Sequence, residues 1–144
     1  YAAAFLILVT GIYSLVFLPS QHQDKILNEF ATEIAFNHEK SLPSEIETNN
    51  VTELNIKLNK LNFKITLPKR ISDSYELIGG RYCSVNNRIA AQLKLRDKNQ
   101  EIVTCYIFKK EESFGFDTKK MKKNTQVSLW DSNNLIYAIA SDKK

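Results

Sequence analysis

The pattern of hydrophobic and polar positions changes sharply near the start of this chain. Residues 1–18 contain no charged side chain, and the first Lys, Arg, Asp or Glu is Asp24. As a helix rising 1.5 Å per residue, residues 1–18 would span roughly 27 Å, close to the ~30 Å hydrocarbon core of a bilayer. A signal-peptide core would have a basic flank, and a buried core helix would usually have a polar face. The pattern therefore favours a transmembrane anchor over residues 1–18, followed by an exit from the membrane at Pro19.

Two further helices are predicted between this anchor and the rest of the chain. Residues 21–39 repeat apolar side chains every three or four positions, and Ser20 precedes them as a cap. Residues 51–61 show a second apolar face of the same spacing behind Asn50 or Thr52, either of which suits an N-cap.

From residue 63 onwards, apolar and polar residues mostly alternate, which is typical of strands with one buried face. The predicted strands are 63–67, 77–85, 88–96, 101–110 and the two halves of a hairpin within 127–140. Asn86-Asn87 and Asn133-Asn134 are predicted turns, because Asn tolerates a positive φ. The expected fold is an anchor, 1–18, and an α+β domain, 19–144. In that domain two helices pack on one side of an antiparallel sheet of five or six strands.

The stretch LIGGRYCSVNNRIAAQLKLRD, residues 77–97, raises the question of whether it does chemistry or builds a sheet. A phosphate-binding loop has its glycines between a strand and a helix N-terminus. Gly79 and Gly80 are instead followed by more strand-like sequence. The glycine pair therefore predicts a β-bulge or a close approach of two backbones.

The two cysteines are predicted to be buried and free. The predicted turns pair Cys83 with Ala90 and Cys105 with Gln92, which places both thiols on one face under the helix that carries Phe30. The thiols would then lie roughly 9.5 Å across and 7 Å along the sheet from each other, too far for a disulfide. The oxidising side of a membrane would nevertheless favour a bridge.

The sequence gives little indication of a metal site, a hydrolase or a nucleic-acid-binding surface. A metal site from His22, His38 and the cysteines lacks any ligand spacing such as C-x-x-C. A Cys–His hydrolase would need an activated thiolate beside a base, whereas both cysteines lie in apolar runs. The net charge of +4 comes from scattered lysines and does not indicate nucleic acid. We expect no catalysis, no cofactor, no metal and no small-molecule substrate.

A lysine patch is predicted to be a solvated loop, with anionic lipid as a candidate partner. The patch consists of Lys119, Lys120, Lys122 and Lys123.

The order of these segments resembles the extracytoplasmic part of membrane-anchored anti-sigma-factor-like bacterial proteins. In such proteins a GGR strand precedes a hairpin with an Ala-rich return strand, a third strand of the type vTlY and a final hairpin that contains Trp. The resemblance covers about residues 77–140. The matching positions here are Gly79, Gly80, Arg81, Ala90, Ala91, Thr104, Tyr106, Trp130 and Tyr137. The predicted structural motif consists of these positions without Tyr137 and with Cys83.

The resemblance implies a non-catalytic, single-pass protein of the bacterial inner membrane whose C-terminal domain lies in the periplasm. Its partners would be membrane lipid and other membrane or periplasmic proteins. An anti-sigma role also needs a cytoplasmic sigma-binding segment, often a zinc-binding one, so that role is expected to depend on sequence before Tyr1. The alternative is a small accessory subunit of a larger membrane complex. In either case we expect Trp130 to be buried in the core.

Overall fold

The computed structural model describes the backbone of residues 2–143 and the side chains of residues 21–143. The helices are α1 (Ala2–Glu39), α2 (Val51–Lys57) and α3 (Lys69–Ser72). The strands are β1 (Ile46–Glu47), β2 (Glu76–Val85), β3 (Arg88–Arg96), β4 (Ile102–Lys109), β5 (Asp117–Lys122), β6 (Thr125–Ser132) and β7 (Leu135–Asp142). Within the described backbone these strands form one antiparallel sheet in the order β1-β2-β3-β4-β7-β6-β5. The α+β prediction is confirmed, although the sheet has more strands than expected.

The sheet buries side chains on both faces, so the domain has three layers. On one face, α1 packs Phe30 and Ile34, both fully buried, against β4, β6 and β7. On the other face, α2, α3 and the segment between them cover the sheet with Leu54, Ile65 and Ile71. The prediction that both helices lie on one side of the sheet is therefore wrong. The central strands are apolar on both faces, and each face needs its own cover.

The first helix is longer than the sequence pattern predicts. α1 continues without a break from Ala2 to Glu39, so the predicted end at Pro19 and the cap at Ser20 are wrong. A proline removes one helical hydrogen bond, but a helix can continue through it with a kink. The side chains of the predicted anchor, 1–18, lie outside the described residues. Among the residues that are described, no helix is long and apolar enough to cross a membrane.

The segment after α2 replaces a predicted strand. The side chain of Asn50 caps α2, because its Oδ1 accepts a hydrogen bond of 2.8 Å from the backbone N–H of Thr52. Residues 63–67 do alternate in burial, but they pair with no strand. Instead, the amide of Asn55 donates to the carbonyl of Ile65 at 2.9 Å and accepts from its N–H at 2.7 Å. One side chain thus satisfies the backbone that a neighbouring strand would have paired.

Two strands were not predicted. β1 has only two residues and pairs with Gly79 and Gly80 of β2. β5 contains most of the lysine patch, so the prediction of a solvated loop there is wrong. β5 is an edge strand whose burial alternates between exposed and half-buried, and charged side chains are common on such edges because they oppose pairing with other chains.

Both predicted asparagine turns are confirmed, but only one of the two predicted registers is. Asn86, Asn87, Asn133 and Asn134 all have positive φ, between 49° and 61°. Cys83 pairs with Ala90 as predicted, whereas Cys105 pairs with Leu93 instead of Gln92. A shift of one residue turns every side chain to the opposite face. The two thiols therefore lie on opposite faces of the sheet, Cys83 towards α1 and Cys105 towards α2.

Candidate functional site

The residues of the predicted structural motif do not converge on one place. Four lie on the face of the sheet that α1 covers: Cys83, Ala90, Thr104 and Tyr106. Three lie on the opposite face: Gly80, Ala91 and Trp130. The remaining two, Gly79 and Arg81, contact the segment that contains β1. The motif therefore describes how the sheet is built, and it does not describe a single pocket.

The glycine pair allows β1 to lie close to β2. The register of β2 shifts between Leu77 and Gly79, which is the predicted bulge. A Cβ at Gly79 would collide with the carbonyl oxygen of Ile46, and a Cβ at Gly80 would lie 3.0 Å from the side chain of Leu93. Both the bulge and the close backbone approach are thus confirmed.

Arg81 holds the same segment from the side. Its Nη1 donates to the carbonyl of Pro43 at 3.1 Å, and its Nη2 lies 3.3 Å from the carboxylate of Glu45. Because its guanidinium is engaged in these contacts, Arg81 positions the chain that leads into β1.

Neither cysteine has the surroundings of a nucleophile. Burial is the main reason that the pKa of the Cys83 thiol rises from 9.0 to about 12, and the positive charge of Arg81 opposes this rise only in part. Burial alone raises the pKa of the fully buried Cys105 thiol further. A catalytic thiol needs the opposite shift, because the thiolate is the reactive form.

The metal site considered from the sequence is not assembled either. Within residues 21–143, no three His, Cys, Asp or Glu side chains come together to hold an ion. His38 faces a hydroxyl and a single carboxylate, and Cys105 lies on the other side of the sheet.

A polar chain that the sequence did not reveal ties the end of α1 to the sheet. His38 Nδ1 is 2.8 Å from Thr104 Oγ1, and His38 Nε2 is 3.3 Å from Asp142 Oδ1. Thr104 in turn hydrogen-bonds at 3.5 Å to the hydroxyl of Tyr106, which accepts at 3.0 Å from Gln92. The order acid, imidazole, hydroxyl resembles that of a hydrolase, but Thr104 is only 4% exposed. A hydroxyl buried in this way cannot reach a substrate, so we interpret the chain as an anchor for α1.

A large open groove follows the outer side of α1, and we call it the α1 groove. It is lined by the side of α1 between Gln21 and Glu39 and by Lys122 and Lys123, and its volume is about 1010 Å³. Phe36 lines it with 58% of its surface exposed, and the ammonium of Lys40 lies 4.2 Å from the ring centroid. Four carboxylates also line the groove: Asp24, Glu29, Glu33 and Glu39.

A smaller cavity on the opposite face of the sheet lies beside Trp130, and we call it the Trp130 pocket. Its volume is about 260 Å³. The lining consists of Arg70, Ser74, Tyr75, Lys119, Gln126, Ser128, Trp130, Ile139 and Ser141. Trp130 is 7% exposed, which confirms its predicted burial, and it stacks on Tyr137 with ring centroids 5.7 Å apart.

Comparison of the chain with protein-family models, with curated proteins and with solved structures found no match.

Proposed function

We propose that this chain is a non-catalytic, membrane-tethered bacterial protein. Its α+β domain, 19–144, binds another protein on the extracytoplasmic side of the inner membrane, as in the anti-sigma-factor-like proteins that it resembles. Residues 1–18 are the tether, and the α1 groove is the binding surface. The observation that carries this proposal is that one helix, α1, contains the uncharged segment, a face buried in the sheet and the lining of the groove.

The character of the α1 groove favours a protein partner. Its volume of about 1010 Å³ is at the upper end of the range for small-molecule sites, and the groove is open along the length of the helix. An exposed aromatic side chain, Phe36, lines the groove together with charged side chains of both signs. Protein interfaces commonly have such an aromatic centre with a polar rim.

The packing of α1 links the groove to the rest of the domain. Phe30 and Ile34 are fully buried against the sheet, and His38 attaches the end of the helix to β4 and β7. A partner bound in the groove would contact the same helix that contains residues 2–18. Binding outside the membrane and the tether are therefore mechanically coupled in this proposal.

Photocrosslinking in native membranes tests the binding surface. A photoreactive phenylalanine analogue replaces Phe36 in the full chain, and the matched control carries it at Ile56, which is 68% exposed on α2 across the sheet. We expect a discrete protein adduct from position 36 and none from position 56. Equal adducts from both positions, or none from position 36, would refute a binding surface along α1. An adduct that comigrates with one large stable complex would favour the accessory-subunit alternative.

Membrane fractionation tests the tether. We expect the native chain to remain with the membranes in high salt and in alkaline carbonate, because an uncharged helical segment of this length is held by the hydrocarbon core and not by charge. Release by either treatment would contradict the tether at residues 1–18.

A further inference from the structure

The Trp130 pocket contains an arginine whose charge is not neutralised. Three of the four arginines of the chain, Arg81, Arg88 and Arg96, form ion pairs with carboxylates. Arg70 forms no ion pair with any described residue, and its guanidinium carbon lies 4.4 Å from the ring centroid of Trp130. A guanidinium held over an aromatic face keeps its N–H groups free at the edge for another acceptor.

The rest of the lining consists mainly of groups that donate hydrogen bonds. Lys119 faces the pocket from β5 and forms no ion pair within residues 21–143. The hydroxyls of Ser128 and Ser141 make no hydrogen bond within the same residues. No carboxylate of residues 21–143 lines the pocket. Two acidic residues act on the lining without being part of it: Asp117 lies opposite Trp130 in the β5–β6 register, and the charge of Asp97 acts on Tyr75.

The aromatic rings beneath Arg70 are held in place before any ligand binds. Trp130 stacks on Tyr137 at an angle of 13°, and the hydroxyl of Tyr137 lies 2.9 Å from that of Thr66. Because this stack holds the guanidinium in place, little side-chain freedom is lost on binding. The volume of about 260 Å³ limits the occupant to a small group.

We propose that the Trp130 pocket binds a small oxyanion, that is a carboxylate, phosphate or sulfate group, between Arg70 and Lys119. The arginine offers the paired donors that suit two oxygens of such a group, and Lys119 and the serine hydroxyls bind the others. This site is independent of the α1 groove, since it lies on the other face of the sheet. It adds a small-ligand function to a domain for which the sequence indicated none.

The single tryptophan of the chain makes this proposal directly measurable. The full chain in nonionic detergent micelles is titrated with sodium phosphate, sodium sulfate and sodium acetate. Sodium chloride at the same ionic strength serves as the reference for screening. We expect a saturating change in Trp130 fluorescence with at least one of the three anions, with a Kd of about 1 mM, and no saturation with chloride. No saturation with any of the three would overturn the proposal.

Four variants separate the pocket from general charge effects, with binding also followed by calorimetry because Arg70 itself affects the fluorescence. Arg70→Gln should weaken binding about tenfold, since it removes a charged hydrogen-bonding group. Arg96→Gln removes the same charge on the opposite face of the sheet and should leave binding unchanged. Equal binding by these two variants would refute the site. If Arg70→Gln does not fold, Lys119→Gln tests the site instead, because Lys119 lies on the edge strand β5. Anion binding by Lys119→Gln with wild-type affinity would equally refute the site. Phe36→Ala, which alters only the α1 groove, should bind the anion normally.

Discussion

Replacing Gly79 with alanine tests whether the glycine pair is required for β1 to pack on the sheet. The new Cβ would collide with the carbonyl oxygen of Ile46, and the hydroxyl oxygen of Ser44 would lie 2.8 Å away. The first of these atoms belongs to backbone that is itself paired with β2, so it cannot turn aside as a flexible side chain would. β1 must therefore move away from β2.

The expected magnitude follows from three contributions. Crowding of this kind costs about 1–3 kcal/mol. Displacing β1 also weakens two hydrogen bonds, from the N–H of Glu45 to Gly80 and from that of Thr48 to Ile78, each contributing about 1 kcal/mol. In the opposite direction, alanine restricts the unfolded chain and so stabilises by about 0.4–1 kcal/mol. We expect a net destabilisation of about 2–4 kcal/mol.

Gly115→Ala is the matched control. Its φ is not positive, and a Cβ there would meet only Asp131, at the ordinary contact distance of 3.6 Å. Only the effect on the unfolded chain remains, so this variant should be more stable than wild type by about 0.4–1 kcal/mol. The two glycine-to-alanine changes should therefore have opposite signs.

Urea unfolding of the full chain in nonionic micelles, followed by the fluorescence of Trp130, measures both variants. Amide hydrogen exchange adds the location, because faster exchange at Glu45 and Thr48 would show that β1 has moved. A Gly79→Ala protein as stable as Gly115→Ala, with unchanged exchange in β1, would refute the reasoning from the close approach.

Three further predictions concern the core, the thiols and an ion pair. Trp130→Ala should lose about 3–5 kcal/mol in urea unfolding followed by circular dichroism, because the ring is 7% exposed and stacked on Tyr137; a loss within error of zero would contradict its core role. Cys83 should react with iodoacetamide at neutral pH about a thousandfold more slowly than an exposed thiol, because its pKa rises from 9.0 to about 12. Cys105, whose pKa is also raised by burial, should react only after the protein unfolds. Fast labelling of either cysteine in the native protein would reopen a chemical role. Burial alone would raise the pKa of Glu112, but hydrogen bonds from Arg88 and from the backbone N–H groups of Glu111 and Glu112, together with the charge of Arg88, outweigh burial and lower this pKa below 4.5. The contribution of Glu112 to stability is therefore present above pH 4.5 and is lost as the pH falls through the lowered pKa. Acid titration of Arg88→Gln should lack this part of the pH dependence, whereas Arg96→Gln should retain it.

Features that depend on a few neighbouring residues could be predicted from the sequence. The Asn86-Asn87 and Asn133-Asn134 turns are local, because few other residues adopt two successive positive φ values. The predicted pairing of Cys105 was wrong because the loop of residues 97–101 leaves Arg96 paired with Ile102. The turn residues alone do not specify this pairing. Loops of this length allow more than one register, and each shift reverses a face.

Features that depend on distant partners could not be predicted. Residues 63–67 alternate like a strand, but their pairing partner is the side chain of Asn55. β1 exists because Gly79 leaves room for it, and two residues carry no strand pattern of their own. The candidate sites have the same origin: Arg70 meets Trp130, and His38 meets Asp142, only after the sheet has formed. The residue types were visible, but nothing in their spacing indicated these contacts.

The place of β7 in the sheet has a consequence for the order of events during synthesis. β4 pairs with β7 and not with β5, so the strands made before residue 135 form two unconnected groups, β1–β4 and β5–β6. Six of the eight residues of β4 are buried in the finished domain, and that edge stays open until residues 135–142 emerge. An unpaired apolar edge invites pairing with other chains. A nascent chain of this protein would therefore need protection at β4 until β7 is available, and folding of the sheet would be completed only after residues 135–142 have been synthesised.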